Sequence, residues 1–375
     1  MSRRRTVLLL ACLLILALAF LVPWGRERGH ADTPATIVLV TIDTLRRDRV
    51  SAYAPSGAVA AIRTARMDAL AAQSLTFEDA RTPVPLTLPG HAVMLTGLPP
   101  AVIGIRVNAH GRIPAPEARG YPLLAERLQA AGWHTGGFVS AEPLHAGYGL
   151  DQGFDVYDDD GLEAEAGGAL AFLERPGEET VERALAWIDT LPAEGKAFLW
   201  VHLFEPHAPY AADPTGSLSD EARYDLDVLR ADLIVGRLLD GLRGRGRGAA
   251  AVLLTADHGE ALGDLGERTH GLLLGDAVLR VPFLLRVPGL GPARRPDPVD
   301  VADVAPTLAN LAGIDWPLTP DVPGSGVDLL AGPAPRERVR LAEALYPHQR
   351  YRWAQLLGAV APDGSTLLDV GEDRL

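Results

Sequence analysis

The sequence predicts an α/β fold built on a doubly wound, mostly parallel sheet with helices on both faces. Three observations predict it. Apolar, β-branched segments alternate with segments of helical periodicity along most of the 375 residues. Several apolar segments end in Asp or His, as strands do when they bring polar groups to one edge of a sheet. A chain of this length also buries a sufficient core without disulfides, and its single cysteine, Cys12, lies near the N-terminus.

The N-terminus predicts export. Three arginines precede an uncharged, apolar stretch at residues 6–24, which is about long enough to cross a bilayer as a helix. Arginines before such a stretch keep that end in the cytoplasm. The remainder is therefore expected outside, in a periplasmic or other extracytoplasmic location, anchored in the inner membrane by residues 6–24. A signal peptide cut near residues 17–19 or after Ala31 is the alternative.

The first strand and the first well-defined helix carry two candidate functional residues. The segment ATIVLVTID at residues 35–43 is β-branched and ends in Asp43. The segment PLTLPGHAVMLTG at residues 85–97 predicts a helix that begins just after Thr87, with Pro89 in its first turn, where a missing N–H costs little. The other clear helical patterns cover residues 59–73, 179–191, 224–242 and 299–314. The segment at residues 121–140, YPLLAERLQAAGWHTGGFVS, predicts a helix, a glycine stop and then a strand.

Two later segments predict strands with polar ends. One is the segment KAFLWVHLFEPHAPY, which predicts a strand that leads into a loop, with His202 and His207 near the strand end. The other is GAAAVLLTADHGE, which predicts a strand that ends in Asp257 and His258. A further strand is predicted at residues 281–289. Ligands of such sheets bind beyond the carboxyl ends of the strands. These histidines and aspartates are therefore expected to meet Asp43 at one edge.

Asp43, Asp257 and His258 form a candidate metal site. Oxygen and imidazole ligands together suit Zn²⁺ or Mn²⁺ better than Ca²⁺, which prefers an all-oxygen shell. Taken singly, each residue has an ordinary structural explanation as a helix cap or a turn. Their common position after apolar strands favours metal binding. The acidic stretch at residues 158–168 lacks the ligand spacing of a calcium loop and predicts a solvated loop.

Thr87 is a candidate for both a further metal ligand and a nucleophile. A threonine hydroxyl is a poor nucleophile at neutral pH, but coordination to a divalent cation lowers its pKa. The N–H groups of the following helix are expected to face an anionic substrate. The structural alternative is a helix N-cap. His91, His207 and His270 are candidates for proton transfer, for a second metal or for holding the anion.

The net charge of −13 excludes one class of partner. A general nucleic-acid binder needs clustered positive charge to neutralise a phosphate backbone. A small anionic substrate remains compatible, because local charge at a site can oppose the net charge.

Four segments, in order, resemble the sulfatase family of the alkaline phosphatase superfamily: ATIVLVTIDTLRRDRVSAY, TLPGHAVMLTG, FLWVHLFEPHAPY and LLTADHGEALGDLGERTHG. The resemblance implies an alkaline phosphatase-like doubly wound domain, a smaller C-terminal subdomain, and metal-dependent cleavage or transfer of sulfate or phosphate esters. It divides the chain into a signal or anchor segment with a linker (1–34), a sulfatase-like catalytic domain (35–330) and a short C-terminal subdomain (331–375).

The resemblance also implies roles for individual positions. It assigns metal binding to Asp43, Thr87, Asp257 and His258, catalysis to Thr87, His91, His207 and His270, and substrate binding to Asn108, His207 and His270. Within this set, His91 falls where the family signature has an arginine.

The sequence departs from the family at the nucleophile. Sulfatases oxidise a Cys or Ser there to formylglycine, and Thr87 cannot become that aldehyde, so no formylglycine is expected. Thr44 stands where the family usually has a second Asp. A metal-bound threonine with an Asp-His pair instead resembles the superfamily's phosphodiesterases and its membrane-anchored phosphoglycerol and phosphoethanolamine transferases. The tail stops at Leu375, earlier than in the family, which predicts a small or truncated C-terminal α+β subdomain.

These features give three functional hypotheses. The first is a hydrolase that cleaves phosphate (di)ester, phosphonate or sulfate esters through a metal-bound Thr87. The second is an envelope transferase that moves a phosphoryl-linked group to a lipid or glycan. The third is a catalytically inactive binding module, which the residues at Thr44, Gly90 and Ile103 would suit. A second metal, held by Glu205, His207 and His270, is compatible with the first two.

Overall fold

The computed structural model describes residues 33–55, 62–108, 111–162, 174–317, 319, 321–335, 337–361 and 366–370. The apolar segment at residues 6–24 lies outside these ranges, and so does part of the acidic stretch at 158–168. Within the described ranges, no helix has the length and apolar character needed to cross a membrane.

An eight-stranded sheet forms the centre of the fold. Its strands are β1 (Thr36–Ile42), β2 (Leu75–Arg81), β3 (His134–Phe138), β4 (Val156–Asp158), β5 (Ala197–Leu203), β6 (Ala251–Ala256), β7 (Phe283–Arg286) and β8 (Ala293–Asp300). They lie in the order β4-β3-β5-β1-β6-β7-β2-β8. Neighbours run parallel except at the two sides of β7. The predicted mostly parallel sheet is confirmed.

The helices form two groups, as a sheet covered on both faces requires. They are α1 (Ala65–Ala71), α2 (Thr87–Thr96), α3 (Pro100–Ile103), α4 (Leu124–Ala130), α5 (Gly177–Thr190), α6 (Asp220–Gly244), α7 (Asp276–Leu279), α8 (Val304–Leu311) and α9 (Tyr346–Tyr351). Helices α1, α5 and α6 pack together, and α2, α4 and α8 pack together. The helix predicted at 59–73 is shorter, because α1 begins only at Ala65.

The three central strands explain why the polar side chains converge. Every residue of β1, β5 and β6 is buried, as expected for parallel strands with both faces covered. Ile42, the last residue of β1, pairs with Leu203 of β5 and with Ala256 of β6. The three strands therefore end at the same level. The residues that follow them emerge side by side at one edge of the sheet.

Three strands of the sheet, β2, β4 and β8, were not predicted from the sequence, and the composition of β2 and β8 explains why. The pattern of β2, LTFEDAR, is broken by two acids, and β8, ARRPDPVD, contains two prolines and three charged residues before its final Val-Asp. Proline lacks an N–H for the ladder and is tolerated at an edge, which is where β8 lies. Residues 299–300 consequently belong to β8, and α8 begins later than the predicted helix at 299–314.

A three-stranded antiparallel sheet, made of β9 (Arg340–Ala344), β10 (Leu356–Val360) and β11 (Thr366–Val370), follows in the order β11-β10-β9. The predicted small C-terminal α+β element is thus present. Arg106 Nε donates to Glu343 of β9 at 2.7 Å, and the backbone N–H of Glu343 donates to Pro83 O at 2.8 Å. Residues Pro34–Leu375 form one compact unit, and the division at 330/331 stays a prediction.

Candidate active site

Three side chains meet just beyond the carboxyl ends of β1 and β6. Asp43 follows β1, and Asp257 and His258 follow β6. All three are at most 1% exposed. The Nε2 atom of His258 lies 3.7 Å from Asp43 Oδ1 and 3.5 Å from Asp257 Oδ2. The structure therefore brings together the three residues that the sequence predicts as metal ligands, and we call them the carboxylate–imidazole cluster.

The cluster fits a divalent metal ion. Within the described chain, four of its buried atoms have no hydrogen-bond partner: Asp43 Oδ1, Asp43 Oδ2, Asp257 Oδ2 and His258 Nε2. Leaving such an atom unpaired costs roughly 1–3 kcal/mol, which a bound cation would offset. The Nδ1–H of His258 donates to Gly259 O at 2.9 Å, which leaves Nε2 bare and directed at the carboxylates. Ligands of a tetrahedral ion with bonds of about 2.0–2.1 Å lie about 3.4 Å apart, close to the separations seen here.

Without a cation, the cluster cannot easily carry two negative charges. Burial, reinforced by the charge of Asp257, raises the pKa of Asp43 well above the usual carboxyl value. Burial also acts to raise the pKa of Asp257, but the neighbouring imidazoles, led by His258, outweigh it and lower that pKa. Burial lowers the pKa of His258 to about 4, so its imidazole is neutral and able to bind a metal. Of the two carboxyl groups, Asp43 is therefore the one that holds a proton more readily when no cation is bound.

Removal of the metal is expected to make the free energy of unfolding fall between about pH 7 and pH 9. Asp43 has a raised pKa, and the pKa of His270 is about 9 because Glu260 outweighs the effect of burial. His270 holds in the folded state a proton that the unfolded chain has already lost at these pH values, so its contribution disappears as the pH rises. The raised pKa of Asp43 acts in the same direction. A bound cation ionises Asp43 and opposes protonation of His270. Urea unfolding of chelator-treated and metal-loaded protein measures the difference.

The Asp43→Asn variant is the control for that measurement, because it has no proton to lose at residue 43. Its chelator-treated form should show a smaller fall in stability with rising pH than the chelator-treated wild type. A stability of the metal-free wild type that rises between pH 7 and pH 9 would contradict the raised pKa of His270.

Helix α2 begins at Thr87 and places its first turn against the cluster. A Cβ atom added to Gly90 would lie 3.1 Å from Asp257 O and 3.2 Å from Asp257 Cβ, so only a glycine permits this approach without a shift. The predicted start at Thr87, with Pro89 in the first turn, agrees with the structure. Thr87 itself is 2% exposed. The residue predicted as the nucleophile thus starts the helix that lies directly on Asp257.

The backbone N–H groups of Leu88 and Gly90 are already engaged, which limits the expectation that the first turn of α2 binds a substrate anion. The Leu88 N–H donates to Asn108 Oδ1 at 2.9 Å, Pro89 has no N–H, and the Gly90 N–H donates to Leu86 O at 3.0 Å. These groups are therefore not free to bind a substrate anion. Asn108 lies near the site as predicted, but its side-chain oxygen holds the helix start rather than pointing to an open substrate position.

His91 supports α2 through both of its ring nitrogens. Its Nδ1–H donates to Thr87 O at 2.8 Å, and its Nε2 accepts the hydroxyl of Thr41 at 3.0 Å. Trp200 Nε1 donates to the same hydroxyl oxygen at 3.0 Å. Burial lowers the pKa of His91 to about 4, so the ring is neutral. Both nitrogens are engaged in hydrogen bonds in this arrangement, and through them His91 fixes the first turn of the helix. The catalytic role that the family resemblance implies for His91 stays a prediction.

His207 and His270 lie next to the cluster, as predicted. The ring of His270 lies 4.4 Å from that of His258 and 5.1 Å from that of His207, measured between centroids. His270 Nδ1 is 3.1 Å from Glu260 Oε1. Burial acts to lower the pKa of His270, but the carboxylate of Glu260 raises it to about 9. Burial and the positive charge of His270 lower the pKa of His207 to about 3. A protonated imidazole and a neutral one therefore face the cluster together.

The alternative second metal site does not form around Glu205. Its Oε1 atom accepts the Gly177 N–H at 3.1 Å and lies 3.3 Å from Arg230. A Cβ atom added to Gly177 would lie only 2.7 Å from Glu205 Oε2. Both carboxylate oxygens of Glu205 therefore lie against the start of α5. Glu205 thus stabilises that helix, and among the described residues it belongs to neither of the two groups of side chains that lie close enough together to hold a metal ion.

The family model for sulfatases matches residues 35–314. The chain belongs to the sulfatase family. This assignment confirms the family resemblance of the sequence, and the family's metal dependence agrees with the unpaired atoms of the carboxylate–imidazole cluster.

Individual relatives of this sulfatase-family protein are distant. The ulvan-active sulfatase of Formosa agariphila is 25% identical over 308 residues, which are 68% of this chain and 58% of the relative, so the chain spans well under two thirds of that enzyme. The structure of BT4656, in complex with its substrate D-glucosamine-2-N,6-O-disulfate, superposes with a TM-score of 0.70 at 15% identity, covering 90% of this chain and 89% of that one. The phosphonate monoester hydrolase of Silicibacter pomeroyi superposes with a TM-score of 0.63 at 18% identity. The superposition covers 90% of this chain and 89% of that one.

Two buried residues beside the cluster received no role from the sequence of this sulfatase-family protein, although His202 was expected at the same edge of the sheet. Glu260 is 0% exposed and sets the charge of His270. His202 is 0% exposed, and its Nε2 lies 3.6 Å from Asp43 Oδ2. A signal for Glu260 existed in the DHGE segment, where a charged residue follows a buried strand by only four positions. His202 lies inside a strand, so its position in the sequence resembled that of an ordinary core residue.

Proposed function

We propose that this protein is a metal-dependent hydrolase of anionic esters that uses the hydroxyl of Thr87 as its nucleophile. Phosphate diesters and phosphonates are the preferred substrates in this proposal, with sulfate esters as the further class. Zn²⁺ or Mn²⁺ is the proposed ion, because the cluster combines an imidazole with carboxylates. The observation that carries the proposal is the set of four unpaired, buried atoms of the carboxylate–imidazole cluster, packed against the turn that Thr87 begins.

The substrate class follows from the nucleophile and the surroundings. Threonine cannot supply the aldehyde hydrate with which formylglycine enzymes attack sulfur, whereas a hydroxyl attacks phosphorus directly. The fold is shared with a phosphonate monoester hydrolase as well as with a protein that binds a sulfated sugar, so both ester classes are compatible with it. A positive His270 beside the cluster favours an anionic substrate.

The proposed reaction has two steps on Thr87. When a divalent cation is bound, it lowers the pKa of a coordinated hydroxyl and neutralises charge on the transferring oxygens. Thr87 gives up its hydroxyl proton to solvent before the first step. In that step its oxygen forms a bond to phosphorus, and the bond from phosphorus to the leaving oxygen breaks. In the second step water attacks the phosphorus, the bond from phosphorus to the Thr87 oxygen breaks, and Thr87 leaves as its alkoxide while the product anion is released. Helix α2 keeps Thr87 in place through His91 and Asn108 in both steps.

His270 is the proposed acid of the first step and base of the second. Its Nδ1 is bonded to Glu260, so Nε2 is the nitrogen that can give a proton to the leaving alkoxide. Contact with Glu260 raises the pKa of this ring and so favours its protonated form at the start of the reaction, against the opposing charge of a bound cation. The deprotonated ring then accepts a proton from the attacking water, which restores the starting state. Glu260 orients the ring and stabilises its charge without contacting the substrate.

His270→Gln is expected to lower the rate more on substrates with poor leaving groups. General acid catalysis contributes typically about 10²–10⁴-fold, and a p-nitrophenolate needs little protonation. The loss should therefore be large for an alkyl or phenyl ester and small for the p-nitrophenyl ester of the same acid. The measurement is the dependence of kcat/KM on the pKa of the leaving group. An equal loss for all leaving groups would contradict the assignment of His270 as the acid.

A substrate panel tests the proposed function. Metal-loaded protein is assayed with p-nitrophenyl phosphate, bis-p-nitrophenyl phosphate, a p-nitrophenyl phosphonate monoester and p-nitrophenyl sulfate, with Zn²⁺ and with Mn²⁺. Hydrolysis of the diester or the phosphonate that is lost on chelation and restored by metal is the expected result. No hydrolysis of any ester by metal-loaded protein would overturn the proposal and favour an inactive binding module.

The location and the alternative reaction are part of the same proposal. The apolar stretch at residues 6–24 supports export and anchoring in the inner membrane, with the site on the extracytoplasmic side. Such a location also suits the transferase alternative, in which a lipid or glycan alcohol replaces water in the second step. Analysis of the products in the presence of an acceptor alcohol separates the two, since only a transferase gives the new ester in excess over the free acid.

A further inference from the structure

His202 lies beneath the carboxylate–imidazole cluster, and the hydrogen bonds around it fix its proton. The residue belongs to β5 and is 0% exposed. The backbone N–H of Ser140 donates to His202 Nδ1 at 3.4 Å. A nitrogen that accepts an N–H carries no proton of its own, so the single proton of the neutral ring is on Nε2.

The Nε2–H group faces the outer oxygen of Asp43. The separation between His202 Nε2 and Asp43 Oδ2 is 3.6 Å, somewhat longer than a formed hydrogen bond. Neither atom has a hydrogen-bond partner anywhere in the described part of the chain. The other carboxylate oxygen, Oδ1, is the one nearest His258, at 3.7 Å. Asp43 is thus placed between a donor on one side and the metal-binding imidazole on the other.

A second cation is the competing explanation for this group. His91, His202 and Asp257 lie close enough together to hold one. However, His91 Nδ1 must carry a proton to donate to Thr87 O, so it cannot bind a metal in this arrangement. His202 would have to lose its Nε2 proton while Nδ1 still accepts the Ser140 N–H, which would leave the ring as an anion. Hydrogen bonding to Asp43 requires neither change.

A buried polar network prevents the ring of His202 from turning. The hydroxyl of Ser140 donates to His202 O at 2.7 Å and lies 2.7 Å from Thr180 Oγ1. Arg175 Nε donates to Thr180 Oγ1 at 3.0 Å, and Arg175 is also paired with Asp158. The network joins β5, α5 and the segment after β3. It therefore holds the Ser140 N–H, and with it the orientation of His202.

We propose that His202 is a positioning residue whose Nε2–H holds the outer oxygen of Asp43, so that Oδ1 is presented to the metal. The inference rests on the metal site of the proposed function. Outer groups that bond to metal ligands orient them, and their loss typically lowers metal affinity about 10–100-fold. His202 acts through Asp43 and contacts neither the substrate nor the reacting atoms.

Metal affinity of the full chain tests this inference directly. Chelator-treated wild type, His202→Leu and His202→Gln are titrated with Zn²⁺ against a competing chelator, and Tm is recorded for each. We expect about 10–100-fold weaker Zn²⁺ binding for the leucine variant. The glutamine variant, which keeps an N–H donor at a similar reach, should recover most of the affinity. A stoichiometry of one Zn²⁺ per chain is expected for the wild type.

Thr135→Val provides the matched control. Thr135 is buried in β3, and its hydroxyl donates to Gly153 O at 2.8 Å, far along the chain from the cluster residues. Its loss should lower Tm and leave Zn²⁺ affinity unchanged.

Two results would overturn the positioning role alone: wild-type Zn²⁺ affinity in His202→Leu, or Zn²⁺ binding by His202→Gln that is as weak as that of His202→Leu. Two Zn²⁺ ions in the wild type, with one lost in His202→Leu, would favour the second-cation explanation. A wild type that binds no metal would overturn the proposed function as well.

Discussion

The Thr87→Ala variant is expected to lose at least about 10³-fold in kcat/KM on every ester that the wild type hydrolyses. The hydroxyl is the proposed attacking group, and no other residue can supply the bond that it forms to phosphorus. The backbone of residue 87 should keep its place, because His91 Nδ1 bonds to its carbonyl oxygen rather than to its side chain. Steady-state kinetics on the diester and the phosphonate measure the loss in kcat/KM. Tm and circular dichroism check that the fold persists.

Thr87→Ser is the matched control for this variant. It keeps the hydroxyl and removes only a methyl group, so it should retain measurable hydrolysis and form the same covalent ester. Intact-protein mass spectrometry after rapid quenching should detect that ester in the wild type and the serine variant but not in the alanine variant. Wild-type rates in Thr87→Ala would show that Thr87 is not the nucleophile.

The Asp257→Asn variant is expected to lose both metal and activity. Asp257 Oδ1 accepts the backbone N–H of His258 at 2.9 Å, while its Oδ2 is unpaired and turned to His258 Nε2, as a metal ligand would be. An amide can replace Oδ1, but not the charge of the carboxylate. We expect affinity for Zn²⁺ to fall by more than about 100-fold, since loss of a group that merely supports a ligand costs about 10–100-fold. Metal analysis after dialysis and kinetics with added Zn²⁺ measure both effects.

Asp232→Asn separates the loss of a ligand from the loss of a buried carboxylate. Asp232 is 3% exposed, and its Oδ1 accepts the backbone N–H groups of Met67 at 2.8 Å and Arg66 at 3.0 Å. Its replacement should lower Tm while metal content and hydrolysis persist. Full metal content in Asp257→Asn would exclude Asp257 as a ligand.

The centre of the fold was predictable because its strands are simple. Each residue of β1 and β6 is buried between two layers of helices, so the sequence of these strands is almost purely apolar and their ends are marked by an acid. Strands β2 and β8 were not predictable in this way. Strand β2 contains two acids and an arginine, and β8 contains arginines, acids and two prolines. Both strands lie toward one edge of the sheet, where a regular apolar pattern is not required.

The convergence of the candidate metal ligands was predictable from the sequence, but the contacts of the surrounding histidines were not. Asp43, Asp257 and His258 follow buried strands, and that position can be read from the sequence. The roles of His91 and His202 depend on hydrogen bonds to Thr41 and to the backbone of Ser140, which are remote in the chain. Residue type and spacing contain no information about such partners. The same holds for Glu260, whose effect on His270 arises only from their contact.

The central claim is that one cation is held by Asp43, Asp257 and His258 with the hydroxyl of Thr87 directed at it. Crystals grown with Zn²⁺ and measured at the zinc absorption edge test it most directly. We expect one strong anomalous peak at about 2.0–2.3 Å from the three ligands, with Thr87 Oγ1 turned toward it. Absence of a peak between the two carboxylates, or a Thr87 hydroxyl turned away into the protein interior, would contradict the account.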